Sequence, residues 1–375
     1  MSDFELTEFQ SRLTRAQVAM REEKIDALLF CTEAEIRYFS GFRTLFWQSP
    51  TRPWYLILPQ KGEPIAVIPA IGTELMRQTW VKDVRSWSSP HPTDDGVSLL
   101  ADALKAYPRV GLPMGSEASL RMPLLDFERV RSSCGAEFVD CTPVIKSLRT
   151  IKSEAEIAIL SKICEIGSNA FANADTLFHT GQALEDVFRS FKIALLQEGA
   201  EDVPYLVGAA GEGGYGDVIS PPTKTPLMEG DVLMLDTGAT LKGYFCDFDR
   251  NFAVGRASDS AKIGYEKLWH TTEVGITTAR PGVTCAELFH AMHTSLGGGT
   301  SDVGRYGHGL GIQLTEWPSI CAHDHTVLQP GMVMTIEPSL QMSDGKMMVH
   351  EENILITDDA SVLLTKRAEP ELPII

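Results

Sequence analysis

The chain has 375 residues, which is too long for one comfortable hydrophobic core and favours two domains. Its 43% hydrophobic and 22% charged residues are ordinary for a globular protein, and no apolar run reaches the roughly 20 residues of a membrane helix. The net charge of −17 disfavours nucleic acid and anionic membranes as partners, because like charges repel. The first residues lack the features of a signal peptide, so we expect a cytoplasmic protein.

Helical and strand patterns alternate in the first part of the chain. Apolar residues at helical spacing predict a helix over 4–24, and weaker patterns predict helices near 71–80 and 97–106. Short apolar runs predict strands at 27–31, 55–58, 65–68 and 109–112. The alternation indicates an α/β domain spanning residues 1–147.

The second part of the chain separates its helices from its strands. Ser153 followed by Glu156 forms a capping box and predicts a helix that runs to about residue 174. Further helices are predicted over 182–198, 259–278 and 284–296, with strand-rich stretches over 205–255 and 305–370. We therefore expect residues 148–375 to form an α+β domain with mainly antiparallel strands.

Two aspartates stand close together in strand-forming sequence of the second domain. Asp236 ends an apolar run, Asp247 follows 11 residues later, and Gly243 between them supplies a turn. Either aspartate alone is ordinarily a residue that caps a turn. Two adjacent antiparallel strands, however, would bring both carboxylates to one place. Such a buried pair is costly unless a cation neutralises it.

Three more candidate ligands follow. His308 lies between glycines, which we expect to let the backbone approach a bound group, while Glu337 and Glu351 lie in apolar strand sequence. A buried, unpaired glutamate costs several kcal/mol, so each glutamate needs a partner. Four carboxylates and one imidazole suit two divalent cations, and we expect Mn, Fe, Co or Zn.

The order Asp, Asp, His, Glu, Glu, with the words Leu235-Asp236-Thr237-Gly238, Gly307-His308-Gly309-Leu310-Gly311, Thr335-Ile336-Glu337-Pro338 and Glu351-Glu352-Asn353, resembles peptidase family M24, the creatinase, prolidase and aminopeptidase P superfamily. The resemblance implies a creatinase-type N-terminal domain followed by a pita-bread catalytic domain. It also implies that the aspartates and the last glutamate bridge or chelate two cations, and that His308 and Glu337 complete the coordination. Glu337 is then the expected proton shuttle, and His308 should donate its other ring N–H to a neighbouring acceptor.

The chain departs from the peptidases of that superfamily at three positions. Where those enzymes carry further histidines that hold the peptide, this chain has Ile219, Gly304 and Thr315. The resemblance is therefore closer to the non-peptidase branches, and it implies a metal-dependent hydrolase of a small C–N bonded substrate. The alternatives are an Xaa-Pro dipeptidase, a lyase acting on a small carboxylate such as dimethylsulfoniopropionate, an amidine hydrolase similar to ectoine hydrolase, and an inactive interaction module.

Candidate substrate-binding residues follow from their position in the sequence. Thr315 and Glu316 lie close after His308, and Tyr244 lies between the two aspartates. In the first domain, the aromatic loop 42–54 offers Trp47 and Arg52, which could line a pocket and bind a carboxylate. The resemblance implies that this loop reaches a partner's active site. We accordingly expect a homodimer, which would also cover an exposed Phe46-Trp47 pair.

Overall fold

The computed structural model describes residues 3–49, 52–298 and 304–375. It divides into two compact units, Met1–Arg149 and Thr150–Ile375. The sequence analysis places this boundary between residues 147 and 148. Among the described residues, every helix is too short or too polar to cross a bilayer.

The first unit is built on a mixed six-stranded sheet, in the order β4-β3-β2-β1-β5-β6. The pairs β1-β2 and β2-β3 are antiparallel, and the other neighbours are parallel. Its elements are α1 (Leu6–Glu22), β1 (Ala27–Phe30), α2 (Glu33–Ser40), β2 (Tyr55–Pro59), β3 (Ile65–Pro69), α3 (Thr73–Arg77), β4 (Asp83–Trp87), α4 (Val97–Leu104), β5 (Arg109–Leu112), α5 (Leu124–Cys134), β6 (Glu137–Asp140) and α6 (Thr142–Thr150). The structure confirms the α/β class.

The central strands are the ones that the apolar runs predict. Every residue of β1, β2 and β3 is buried, because helices cover the sheet and leave no face to solvent. The edge strand β4 was not predicted, since its sequence Asp-Val-Arg-Ser-Trp is half polar and its side chains are partly exposed. This segment forms a strand because its backbone pairs with β3, although its own residue pattern does not predict a strand.

The aromatic loop of this unit packs inward. Trp47 is only 8% exposed, its ring lies 6.0 Å from that of Trp54, and the Arg121 guanidinium stacks 5.0 Å from its centre. The expectation of an exposed Phe46-Trp47 pair is therefore wrong, because other residues of the same unit already bury Trp47. The exposed apolar side chain of the loop is Leu45, at 85%. The homodimer stays a prediction, without that physical motive.

The second unit contains antiparallel sheets. One has the order β10-β8-β7 with β9 beside β8, a second has the order β12-β11-β13-β16-β17, and β14 pairs with β15. Its elements are α7 (Glu154–Phe171), α8 (Ala174–Leu177), α9 (Leu184–Glu198), β7 (Asp202–Glu212), β8 (Asp231–Leu241), β9 (Tyr244–Phe245), β10 (Phe248–Ala253), α10 (Asp259–Thr278), α11 (Cys285–Ser295), β11 (His308–Gly309), β12 (Glu316–Ser319), β13 (Val333–Ile336), β14 (Ser339–Gln341), β15 (Met347–Val349), β16 (Glu352–Ile356) and β17 (Ser361–Leu363).

Local sequence signals explain two features of this unit that position the site. Ser153 and Glu156 form the predicted capping box at the start of α7. The hairpin between β8 and β9 turns at Lys242 and Gly243, both with positive φ, as the tight two-residue turns of hairpins require. This turn sends the chain back along β8, so that Asp247 returns toward Asp236.

Candidate metal centre

The five predicted ligands lie within strands or at the ends of strands in two different sheets. Asp236 lies inside β8, and Asp247 follows β9 in the same sheet. In the other sheet, His308 begins β11, Glu337 directly follows β13, and Glu351 directly precedes β16. The strands β9 and β10 on either side of Asp247 both pair antiparallel with β8, as predicted, although the residue directly opposite Asp236 is Asp249.

Three of the five residues form a tight group. One potential ligand atom each from Asp247, His308 and Glu351 lies within 4.8 Å of the others, and all three side chains are buried. The Nε2 atom of His308 lies 3.4 Å from Asp247 Oδ2 and 3.9 Å from Glu337 Oε1. These distances leave room for a cation at the centre of the group.

The carboxylates are held where their charged forms are unfavourable. Burial raises the pKa of Asp236 and of Glu337 to about 7. Burial, followed by the charges of neighbouring acids, raises the pKa of Asp247 and of Glu351 well above the usual range. A group of acids that resist ionisation together has the electrostatics of a site that a cation completes.

His308 is held as a neutral ligand with a defined tautomer. Its Nδ1 lies 2.9 Å from the carbonyl oxygen of Gly309, which can only accept, so Nδ1 carries the proton. Burial lowers the pKa of His308 to about 4. The lone pair of Nε2 therefore faces Asp247 and Glu337, and the predicted N–H donation to a neighbouring acceptor is made to the backbone.

The donor set fits divalent cations. Buried oxygens that lack a hydrogen-bond partner include Asp236 Oδ1 and Glu351 Oε1. Buried acceptors of this kind cost free energy unless a ligand satisfies them, and a metal ion would do so. Carboxylate oxygens with one imidazole nitrogen suit Mn, Fe, Co or Zn rather than a thiolate-seeking metal.

Two further residues support the ligands, and local sequence patterns did not identify them. The Tyr205 hydroxyl donates to Asp236 Oδ2 at 3.3 Å from the neighbouring strand β7. The buried side-chain amide of Asn353 clamps the backbone of Asp247: its oxygen accepts from the N–H at 3.0 Å, and its nitrogen donates to the C=O. Asn353 belongs to the sheet that carries Glu351, so this clamp ties the two sheets together at the site.

Replacing Asn353 by alanine should lower the affinity for divalent cations by roughly 10- to 100-fold, as removal of a residue that orients metal ligands typically does. The physical reason is that Asp247 loses its fixed position relative to Glu351. Chelator competition on the folded variant measures this effect. The exposed Asn173 serves as a control, since Asn173→Ala should leave the affinity unchanged. Unchanged affinity in Asn353→Ala would contradict the role of the clamp.

The structure places the residues predicted to bind substrate in different surroundings. Thr315 is half-buried and accepts a hydrogen bond from Arg305 Nη2 at 3.4 Å, which keeps it beside the ligand group. Glu316 is buried against Lys152 at 3.1 Å, and the buried Tyr244 hydroxyl donates to Glu156 at 2.9 Å. Both side chains form buried contacts with α7 or the segment just before it. We therefore do not include them among the residues that contact substrate.

The remaining positions that the sequence analysis names lie in surroundings of their own. Trp47 is packed into the first unit, and Arg52 is half-buried there with its guanidinium 5.4 Å from the Phe46 ring centre. Ile219 is 74% exposed. The glycines around His308 have a packing role that the sequence analysis did not predict, because an added side chain at Gly307 or Gly309 would overlap the backbone of Thr335 or Trp317. The glycines thus allow close packing of strands.

Several known proteins are similar to this chain in sequence and in fold. Residues 158–358 match the profile of Metallopeptidase family M24, and residues 12–151 match that of the Creatinase/Prolidase N-terminal domain. The chain is 27% identical to the Xaa-Pro dipeptidase of Pyrococcus horikoshii over 92% of its own length and 94% of that protein's. It is 26% identical to the probable dipeptidase PepE of Mycobacterium tuberculosis over 96% and 95% of the two chains.

Solved structures agree over nearly the whole chain. The dipeptidase PepE from Mycobacterium ulcerans superposes with a TM-score of 0.85 at 25% identity, covering 99% of both chains. The prolidase from Pyrococcus horikoshii gives 0.83 at 25% identity, covering 96% of this chain and 99% of its own. The family profile spans more than half of the chain. This protein is therefore a metallohydrolase of family M24, with a creatinase-type N-terminal domain before its catalytic domain.

Proposed function

We propose that the protein hydrolyses a C–N bond in a small substrate, using water activated by two divalent cations that Asp236, Asp247, His308, Glu337 and Glu351 bind. The observation that carries the proposal is the buried group of Asp247, His308 and Glu351, whose ligand atoms lie within 4.8 Å of one another. The family to which the chain belongs supports hydrolysis rather than another reaction. The lyase alternative has no observation of its own in its favour.

Each side chain has a role that follows from its surroundings. When bound, a pair of divalent cations lowers the pKa of a water molecule and polarises the substrate oxygen. The Glu337 side chain is 26% exposed, against 3% for His308 and 6% for Asp247, so water can reach it. Its carboxylate can accept a proton from that water and pass it to the leaving nitrogen. Tyr205 orients Asp236 by its hydrogen bond.

The residues at the positions where peptidases of the superfamily hold the peptide distinguish this chain from those peptidases. Of the nine histidines, His308 is the one in the group of candidate ligands, while His350 lies with its Nδ1 3.1 Å from Thr272 Oγ1. At the other positions considered, Gly304 offers no side chain and Thr315 offers a hydroxyl that accepts from Arg305. A missing donor of this kind typically costs 10²- to 10³-fold in rate, so a small non-peptide substrate is favoured.

The second candidate function is that of an Xaa-Pro dipeptidase. The names of similar proteins favour it, since two Pyrococcus relatives are Xaa-Pro dipeptidases and a Mycobacterium relative is a probable dipeptidase. It requires that groups other than histidine hold the peptide beside the metal centre. The two candidates share the same catalytic centre and differ in substrate alone.

A metal-loaded activity screen distinguishes the candidates. We expect slow or absent turnover of Xaa-Pro dipeptides, and faster turnover of one class among ureido acids, cyclic amidines and betaine or sulfonium carboxylates. The measurement is kcat/KM with Mn²⁺-, Co²⁺- and Zn²⁺-loaded enzyme, with the Asp247→Ala variant as the control for contaminating activity. Cleavage of Xaa-Pro dipeptides above the roughly 10⁴ M⁻¹s⁻¹ of ordinary enzymes would overturn the non-peptide proposal and establish the dipeptidase.

A further inference from the structure

Asp249 is a buried carboxylate that none of the roles described above uses. It lies in β10, its residue is 1% exposed, and it stands directly opposite Asp236 of β8. Directly opposed residues of an antiparallel pair project from the same face of the sheet, with Cβ atoms about 5 Å apart. The carboxylates of Asp249 and Asp236 are therefore neighbours on one face.

This cross-strand pair is unfavourable as it stands. Like charges directly opposite each other destabilise a sheet, and burial removes the water that would screen them. Each aspartate also has a buried Oδ1 atom without a hydrogen-bond partner among the described residues. The other oxygen of Asp249 accepts from the Asn251 side-chain amide at 2.8 Å, and an amide carries no compensating charge.

A buried acid with a purely structural role is held differently in this protein. The carboxylate of Glu352 lies 2.9 Å from Arg250 Nη2 and 3.2 Å from Arg367 Nη1, and it also accepts from the backbone N–H of Ala368. The guanidinium of Arg250 thus contacts Glu352 rather than the side chain of Asp249, although Arg250 and Asp249 are adjacent in the chain. The charge of Asp249 is left to a partner that the polypeptide does not supply.

Electrostatic effects connect Asp249 with two of the candidate ligands. Burial raises the pKa of Asp249 well above its usual range; the charge of Arg250 and the backbone N–H of Glu351 lower it, whereas the charge of Asp236 raises it further. The charge of Asp249 in turn adds to the rise in the pKa of Glu351. Asp249 is therefore close enough to the ligand group to act on a cation bound there.

We propose that Asp249 belongs to the metal centre and that its carboxylate, together with that of Asp236, binds one of the two cations. This inference rests on the two-cation centre of the proposed function and adds a ligand to it. His308 is the one candidate ligand with a nitrogen donor, so a cation between the two aspartates is bound by oxygens. Oxygen donors suit Mn²⁺, whereas an imidazole suits Zn²⁺. Asp249 thus favours Mn²⁺ at that position.

The test compares metal binding and stability in wild type and Asp249→Asn. Metal-free protein is titrated with Mn²⁺ while electron paramagnetic resonance measures the free ion, and chelator competition measures the affinity for Zn²⁺. The variant should bind one Mn²⁺ at least roughly 10-fold more weakly than wild type, with a smaller loss for Zn²⁺. In chelator it should unfold at the same temperature as wild type or higher, because asparagine removes a buried charge and can still accept from Asn251.

Glu352→Gln is the matched control, since it removes the charge of a buried acid that has arginine partners. Its folded fraction should bind both Mn²⁺ ions as wild type does. The inference is overturned if Asp249→Asn binds both ions with wild-type affinity, if Mn²⁺ and Zn²⁺ are weakened equally, or if the variant unfolds at a lower temperature in chelator, which would make Asp249 a structural acid. Loss of one Mn²⁺ in Asp249→Asn, with no hydrolysis of any substrate by loaded wild type, would overturn the proposed function alone.

Discussion

Replacing Glu351 by glutamine should remove tight metal binding and with it at least roughly 10³-fold of the activity, while the metal-free protein remains as stable as wild type or becomes more stable. Glu351 is buried, its Oε1 has no hydrogen-bond partner among the described residues, and its charge is opposed by those of Asp247 and Asp236. Glutamine keeps the shape and removes the charge. The measurements are metal content by elemental analysis, affinity by chelator competition, and thermal unfolding in the presence of chelator.

The next residue in the chain provides the matched control. Glu352 is also buried, but its carboxylate pairs with Arg250 and Arg367 and accepts from the backbone N–H of Ala368 at 2.9 Å. Glu352→Gln should therefore destabilise the protein by about 3 kcal/mol, as breaking a buried ion pair does, while the folded fraction keeps its metal. If both variants lose metal equally, or if Glu351→Gln is the one that unfolds, the assignment of Glu351 as a ligand is wrong.

The elements that the sequence predicted correctly are those that depend on a local pattern of residues. The apolar runs of β1 to β3 and the capping box of α7 have local causes, so their positions could be read from the chain. The candidate ligands could be predicted because an acid within an apolar strand demands a partner. Their order then gave the resemblance to the family, which the comparisons confirm.

Contacts that depend on long-range pairing could not be predicted. Tyr205 reaches Asp236 only because β7 pairs with β8 in the register that sets Val207 opposite Asp236. Proximity in sequence was misleading for Glu316 and Tyr244, which follow or lie between ligands yet bond to Lys152 and Glu156 on the segment that begins the second unit. Glu316 is eight residues from His308 and Tyr244 three from Asp247, so proximity along the chain does not fix the direction of either side chain.

Asp236 should contribute to a loss of stability of the metal-free protein as the pH rises, and Asp236→Asn should reduce this loss. Burial raises the pKa of this carboxyl from 3.8 to about 7. Between these values the folded protein holds a proton that the unfolded chain has released, so stability falls as the pH rises through the window. Asparagine has the same shape, stays neutral at every pH, and can still accept from the Tyr205 hydroxyl.

The difference between the two proteins reports the titration of Asp236 together with its effect on Asp247, Glu337 and Glu351, whose pKa values its charge raises in addition to burial. In chelator, the variant and wild type should unfold at similar temperatures near pH 4. At pH 8 the variant should be more stable by on the order of 4 kcal/mol, or roughly 10 °C. The lowered pKa values of His308 and His350 affect both proteins alike and cancel in the difference. The exposed Asp175 is the control, and Asp175→Asn should follow wild type throughout.

Adding Mn²⁺ at pH 8 should reverse the order of stability. Wild type gains the free energy of cation binding, which grows with the ratio of free metal to Kd, whereas Asp236→Asn has lost a ligand and gains less. A difference between wild type and variant that does not change with pH would show that Asp236 is not held in a site that disfavours its charge. A variant that Mn²⁺ stabilises as much as it does wild type would remove Asp236 from the ligand set. The reversal requires both properties at once, because the same buried oxygens that destabilise the empty protein are the ones that bind the cation.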